Sequence, residues 1–126
     1  MKIQGLDGRV YQLTLENSPR EDCSQYHKKC RDLLKELFPV DPVFEEVYLP
    51  GSYGLYADFL LPRRSLLIEV QGEQHYKEVR FFHKDRFKFV DGLRRDKLKK
   101  EWADVNQLRL CELRWDLDDW KERILA

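Results

Sequence analysis

The alternation of apolar and polar positions changes period several times along the 126-residue chain, and each change marks an element. Residues 2–5 and 9–15 alternate as short strands, with the hairpin pair Asp7-Gly8 between them. After a turn-rich stretch at 16–22, apolar positions recur at helical spacing. Tyr26, Cys30, Leu33, Leu34 and Leu37 predict a helix over 23–38, which Pro39 and Pro42 end. Residues 43–49 read as a strand, and Pro50-Gly51-Ser52 with Gly54 as a turn. Two strands, 55–61 and 66–71, follow, joined tightly through Pro62-Arg63-Arg64-Ser65. In the second, Leu66, Ile68 and Val70 point one way, and Leu67, Glu69 and Gln71 the other. Residues 73–90 fit either a loop or a short helix. A helix over 91–105 is predicted to bury Leu98, Trp102 and Val105. Residues 108–114 form a strand and 116–125 a closing helix.

The order after the hairpin is αβββαβα, which packs naturally as a mixed central β-sheet flanked by helices. The expected fold class is therefore α/β with an added N-terminal β-hairpin. No repeat, low-complexity tract or linker interrupts the pattern. The chain reads as a single domain over 1–126, with the hairpin in 1–16 and the core in 23–126.

Composition changes this picture in one respect. At 42% hydrophobic and 37% charged residues, the chain is too apolar for disorder and has a heavily charged surface. Net charge is zero, but between Lys77 and Lys100 ten basic residues face only four acids. This basic block, interleaved with Phe81, Phe82, Phe87 and Phe89, suits a polyanion; a merely solvated helix would look similar. No apolar run reaches membrane-spanning length and no signal-peptide core opens the chain. The three cysteines form no CxxC pair, which fits a reducing cytoplasm. Cys23, His27 and Cys30, with Cys111, make a conceivable zinc set, although core stripes on helices produce the same spacing.

The candidate chemistry lies in the paired strands. Asp58 interrupts the apolar run LYADFLLP, and Glu69 interrupts LLIEVQG. Carboxylates in such strands are costly unless paired or bound to a metal. The short turn allows the two to lie almost opposite each other. Two anions at close range repel, and a divalent cation resolves this while supplying a Lewis acid for phosphodiester cleavage. Hard oxygen ligands favour Mg2+ or Mn2+ over Zn2+. Ordinary alternation on a half-exposed sheet would also explain both acids.

The pattern Asp58-x10-Glu69-Val70-Gln71 resembles the core of the PD-(D/E)xK nuclease superfamily. The longer string Ile68-Glu69-Val70-Gln71-Gly72-Glu73-Gln74-His75-Tyr76 is similar to a very-short-patch-repair-like (Vsr-like, EDxHD) branch of small phage and mobile-element endonucleases. The likeness continues into Arg95-Asp96-Lys97-Leu98-Lys99-Lys100 and spans roughly residues 24 to 125. It implies a restriction-endonuclease-like fold and a Mg2+- or Mn2+-dependent DNA endonuclease, in the cytoplasm of a bacterial or phage-infected cell.

It also implies roles. Asp58 is the main metal ligand, and Glu69 a second ligand, directly or through water. His75 protonates the leaving oxygen or contacts the scissile phosphate. Asp96 is a further ligand or orients His75. Two positions depart from the pattern. Gln71 stands where the family has lysine, and its amide can only orient water or phosphate; Lys97 or Lys100 is expected to replace the missing charge. His27 stands where related sequences carry glutamate, and a histidine there could ligate a metal or receive a proton. Lys77, Arg80, Arg95, Lys97 and Lys100, with Arg63 and Arg64 at the turn, are expected to contact the DNA backbone and make binding salt-dependent. A homodimer, or a partner protein supplying target specificity, is a further expectation. The alternatives are a nucleic-acid-binding protein on the same fold that has lost catalysis and a protein–protein adaptor with structural carboxylates.

Overall fold

The N-terminal turn sets the first element. Gly8 has φ 82°, which a non-glycine residue adopts only at a cost, and Asp7 closes the turn by accepting from the Arg9 N–H and the Tyr11 hydroxyl. The flanking strands β1 (Lys2–Gln4) and β2 (Val10–Gln12) pair antiparallel and are shorter than their sequence pattern predicts. The hairpin packs closely on the chain at Gly51: a Cβ on Gly5 would lie 2.8 Å from the Gly51 Cα. In this computed structural model the residues described are 1–16, 21–72 and 86–126, with only the backbone described at 86–91 and 93.

Helix α1 spans Gln25–Leu37, within the predicted limits, and is capped by Ser24, whose hydroxyl accepts from the His27 N–H. Strands β3 (Phe44–Tyr48), β4 (Tyr56–Leu61) and β5 (Leu66–Gln71) follow, with a 3-10 turn at Pro62–Arg64 between the last two. Helix α2 runs Arg86–Val105, starting earlier than the predicted 91, and so takes the last part of the ambiguous stretch. Strand β6 is Arg109–Arg114. Helix α3 is only Trp120–Leu125. The predicted start at 116 is replaced by a turn in which Arg114 holds Asp116 and its carbonyl accepts from the Leu117 N–H.

The sheet order is β3-β4-β5-β6, with antiparallel pairing throughout except for the parallel β5–β6 pair. The mixed α/β architecture with its separate two-stranded hairpin is thus as expected. Each face of the sheet buries its own core. On one face Leu60 and Leu67 pack with Trp102, Ala103 and the hairpin's Ile3 and Leu13. On the other, Phe59, Leu66 and Ile68 pack with Cys30 and Leu34 of α1 and with Trp120 and Ile124 of α3. Alternation in β5 therefore sorts Leu67 from Leu66 and Ile68 as predicted. In α2 the expectation fails at one position. Val105 is 45% exposed, and Ala103 is buried in its stead.

The regular alternation breaks at one level of the sheet. Val47 and Ala57 share a core with Leu60, and Phe44 packs against it, although the spacing of these residues along each strand is odd. Glu46 and Asp58 occupy the intervening level. They are absent from the β3–β4 ladder, and Glu46 has φ 48°. The register is the same on both sides, and the left-handed residue kinks the strand locally without inserting a residue. The β4–β5 ladder also stops there, running from Leu61↔Leu66 only as far as Phe59↔Ile68.

Candidate functional site

Asp58 sits where the ladders stop. Its Oδ2 accepts from the Val70 N–H at 2.8 Å, so a side chain satisfies a backbone donor of β5. The register that pairs Phe59 with Ile68 makes Glu69 the next neighbour, and the Asp58 and Glu69 side chains are in hydrogen-bonding contact. Burial pushes the Glu69 carboxyl up to about 8, and the neighbouring Asp58 charge adds to the rise. Lys99 opposes both, with Nζ 3.0 Å from Glu69 Oε1. At neutral pH Glu69 therefore keeps its proton.

Glu69, Gln71 and Asp96 line a recess of about 100 Å³ together with Lys99 and Glu112. Glu112 is the register partner of Glu69 across the parallel β5–β6 pair, which places both on one face. The expected set Glu69, Gln71 and Asp96 is thus brought together, with Asp58 adjoining through Glu69. Lys97 or Lys100 was expected to bring a positive charge here; it is Lys99 that reaches Glu69, whereas Lys97 is exposed and lies 4.0 Å from Glu101, and Lys100 is exposed. Arg95 is likewise on the exposed surface of α2.

On the other side of Asp58 stands His27, presented by the first turn of α1 and stacked on Phe59 at 4.4 Å between ring centroids. Its Nε2 lies 2.7 Å from Glu45 Oε1, and its Nδ1 lies 4.0 Å from Asp58 Oδ1. Glu45, on β3, is itself held by Arg31 in a two-pronged contact, Nε to Oε2 at 2.8 Å and a terminal nitrogen to Oε1 at 2.7 Å. Burial alone would raise the Glu45 carboxyl, but the Arg31 and His27 hydrogen bonds outweigh it and hold Glu45 below the ordinary glutamate value. An ionised carboxylate only accepts, so Nε2 carries the hydrogen.

Arg63 and Arg64 belong elsewhere. They occupy the 3-10 turn that closes one end of the β4–β5 hairpin, while Asp58 and Glu69 lie towards the other, about 10–13 Å away at the rise of an extended chain. Arg64 is committed to Asp41 at 2.6 Å and lies over the Phe38 ring. This turn is therefore set apart from Asp58 and Glu69. His75, Lys77 and Arg80 lie outside the described residues.

Four participants escaped the sequence reading: Glu45, Arg31, Lys99 and Glu112. The signal for Glu112 was present, since it alternates with Leu110 in LRLCELR as Glu69 does with Leu67. Among the described residues no group of three or more His, Cys, Asp or Glu side chains forms a ready-made metal cage, so the conceivable Cys23–His27–Cys30–Cys111 zinc set is not assembled. Cys30 and Cys111 are instead buried in the α1-side core. No described helix is long and apolar enough to cross a membrane.

No protein-family model matches the chain, and no solved structure matches it. Over 69 residues, 55% of its length, the chain is 33% identical to "Uncharacterized protein 307L" of Invertebrate iridescent virus 6. The match spans only 35% of that viral protein.

Proposed function

We propose that the chain is a metal-dependent DNA endonuclease on a restriction-endonuclease-like fold, hydrolysing phosphodiester bonds with Mg2+ or Mn2+. The observation that carries this reading is the contact between Asp58 and Glu69 at the break in the sheet. Glu69 retains a proton at neutral pH because burial disfavours its charge and the neighbouring Asp58 carboxylate adds to the cost. A divalent cation in place of that proton removes the repulsion, so the donor set fits one. Mg2+ in particular is commonly held by one or two carboxylates and completed by water and substrate phosphate, without an all-protein cage.

Once bound, the cation supplies Lewis-acid polarisation of the scissile phosphate. The chain's own groups do the rest. Asp58, fixed by the Val70 N–H, orients the ligand set. Lys99, with only 20% of its side chain exposed, supplies a fixed positive charge that Gln71 cannot. Gln71 offers its amide to water or phosphate in the same recess. Exposed Arg95, Lys97 and Lys100 on α2 provide backbone-binding charge.

The second reading, a DNA-binding protein that does not cut, is favoured by one observation, the neutral Gln71 at the family's lysine position. Incubation of supercoiled plasmid with Mg2+, Mn2+ or EDTA separates the two. Wild type nicks only with metal. Asp58→Ala stops nicking and still shifts DNA in a gel. A DNA shift with no metal-dependent product under any condition establishes the binder and removes the enzyme.

A further inference from the structure

One strand edge of the molecule is left open. In the β1–β2 hairpin the Gly5 N–H donates to the Arg9 carbonyl, and the Leu13 N–H to the Met1 carbonyl. Bonded pairs alternate along an antiparallel ladder, so Val10 and Gln12 turn their N–H and C=O groups away from β1. Among the described residues none bonds to those groups. The Val10 side chain is 72% exposed, and Gln12 is exposed as well.

The other edges are covered or guarded. Asn106 covers β1: its side-chain oxygen accepts from the Gln4 N–H and its amide nitrogen donates to the Gln4 carbonyl, as a neighbouring strand would. The outer edge of β3 carries Glu45 and Glu46 and is kinked at Glu46, and β6 carries Arg109, Glu112 and Arg114. Charge and kinks of this kind keep an edge from pairing with another chain. The segment Val10-Tyr11-Gln12-Leu13-Thr14-Leu15 has neither charge nor proline. Strand β2 is short, but its ladder to β1 continues at Leu13.

We propose that the outer edge of β2 is an interface on which a second copy of this chain adds its own β2, antiparallel, so that the two hairpins form one continuous sheet across a two-fold axis. A row of unpaired N–H and C=O groups fits an extended backbone, and neutral side chains do not select a polyanion. A second copy is favoured over an unlike strand because the edge matches itself. With the axis at Tyr11, Val10 lies opposite Gln12 of the second copy, and Gln12 opposite its Val10. Each opposed pair then exchanges both of its N–H···O bonds. No like charges meet along β2, and the exposed Val10 is covered. Self-matching of one patch is what a two-fold dimer requires. The contact is independent of the candidate site; for the nuclease reading it supplies a second site for the second strand of a duplex.

Sedimentation velocity and amide hydrogen exchange read by nuclear magnetic resonance, on the full chain between about 10 μM and about 1 mM, test this together. The mass should double with concentration, and the Val10 and Gln12 amides should gain protection in step with it. The Tyr11 amide, turned towards Ile3 within the hairpin, should be protected throughout. Gln12→Pro removes an outward donor from each copy, a change that an edge strand tolerates. Loss of those bonds should weaken dimerisation about 30-fold. If Gln12→Pro loses the Tyr11 protection, and with it the hairpin, Val10→Lys takes its place; it guards the edge with charge and should likewise leave a monomer. A single-chain mass across the whole range, or a dimer whose Val10 and Gln12 amides exchange as fast as in the monomer, overturns the inference. Protection of these amides that appears only when duplex DNA is added assigns the edge to nucleic acid and overturns it too.

Discussion

Replacing Glu69 by glutamine should stabilise the protein at alkaline pH while abolishing the nicking activity proposed for it. The folded-state carboxyl titrates near 8 against an ordinary value of 4.5, because burial and Asp58 disfavour its charge. The folded protein therefore holds a proton that the unfolded chain releases above about pH 4.5. Stability contributed by that proton is complete below the ordinary value and is lost as pH rises through about 8. The difference corresponds to about 5 kcal/mol, most of it lost by pH 8. Glutamine has nearly the same shape and no charge to desolvate, so Glu69→Gln escapes this loss. Its amide oxygen can still accept from Lys99 Nζ, which lies 3.0 Å from Glu69 Oε1; only the ionic part of that contact, present where Glu69 ionises, is lost, worth about 1 kcal/mol or more.

The net expectation is a gain of roughly 3 kcal/mol at about pH 8, and a difference within about 1 kcal/mol at about pH 5. For a domain of this size the gain corresponds to a Tm rise on the order of 10 °C. Thermal and urea unfolding of both proteins across this range, in EDTA, measures it directly. The same variant should fail to nick plasmid in Mn2+. A Glu69→Gln protein less stable than wild type at about pH 8, or one whose difference from wild type is independent of pH, refutes the assignment of Glu69 as a buried, protonated carboxyl.

Two further substitutions probe the surroundings. Lys99→Met keeps the aliphatic stem but removes the charge beside Glu69. It should lower the nicking rate by about 10²–10³-fold and cost more stability at about pH 8 than at about pH 5, read by single-turnover plasmid assays and unfolding curves; an unchanged rate would separate Lys99 from the reaction. Trp102→Ala removes the largest side chain of the hairpin-face core and the donor to the Pro50 carbonyl. It should cost about 3–5 kcal/mol in urea unfolding, and a loss below about 1 kcal/mol would show that this core is not shared by α2 and the loop.

The elements with unbroken periodicity were legible in the sequence, and so was the meeting of Asp58 with Glu69. A tight connection at 62–65 leaves few registers, and alternation then places Glu69 with Leu67. Lys99 was missed for a reason of helix phase. Counting Val105 as buried centres the stripe of α2 on Leu98, Trp102 and Val105. The observed stripe turns towards Ala103, which lies four residues after Lys99, as Trp102 lies three after it. Residues at these spacings share a face, so Lys99 points at the sheet and Val105 at solvent. Lys97 and Lys100 lie instead above Glu101 and Asp104 on the outer face.

Glu45 was hidden by a different cause. In FEEVY, two glutamates between apolar residues look like a solvated edge strand. The ladder breaks at the level of Glu46 and Asp58, and Glu46 turns to φ 48°. That break frees the chain on either side from strict alternation. Val47 and Ala57 join the hairpin-face core, while Glu45, before the break, stands beside Phe59 on the α1 face and reaches His27 and Arg31. The same break leaves the Val70 N–H to the Asp58 carboxylate. A left-handed residue in a strand costs about 1–2 kcal/mol, and the buried Glu45–Arg31–His27 set adds a desolvation cost. Both costs fall around the break in the sheet, where an apolar pair would pack at lower cost.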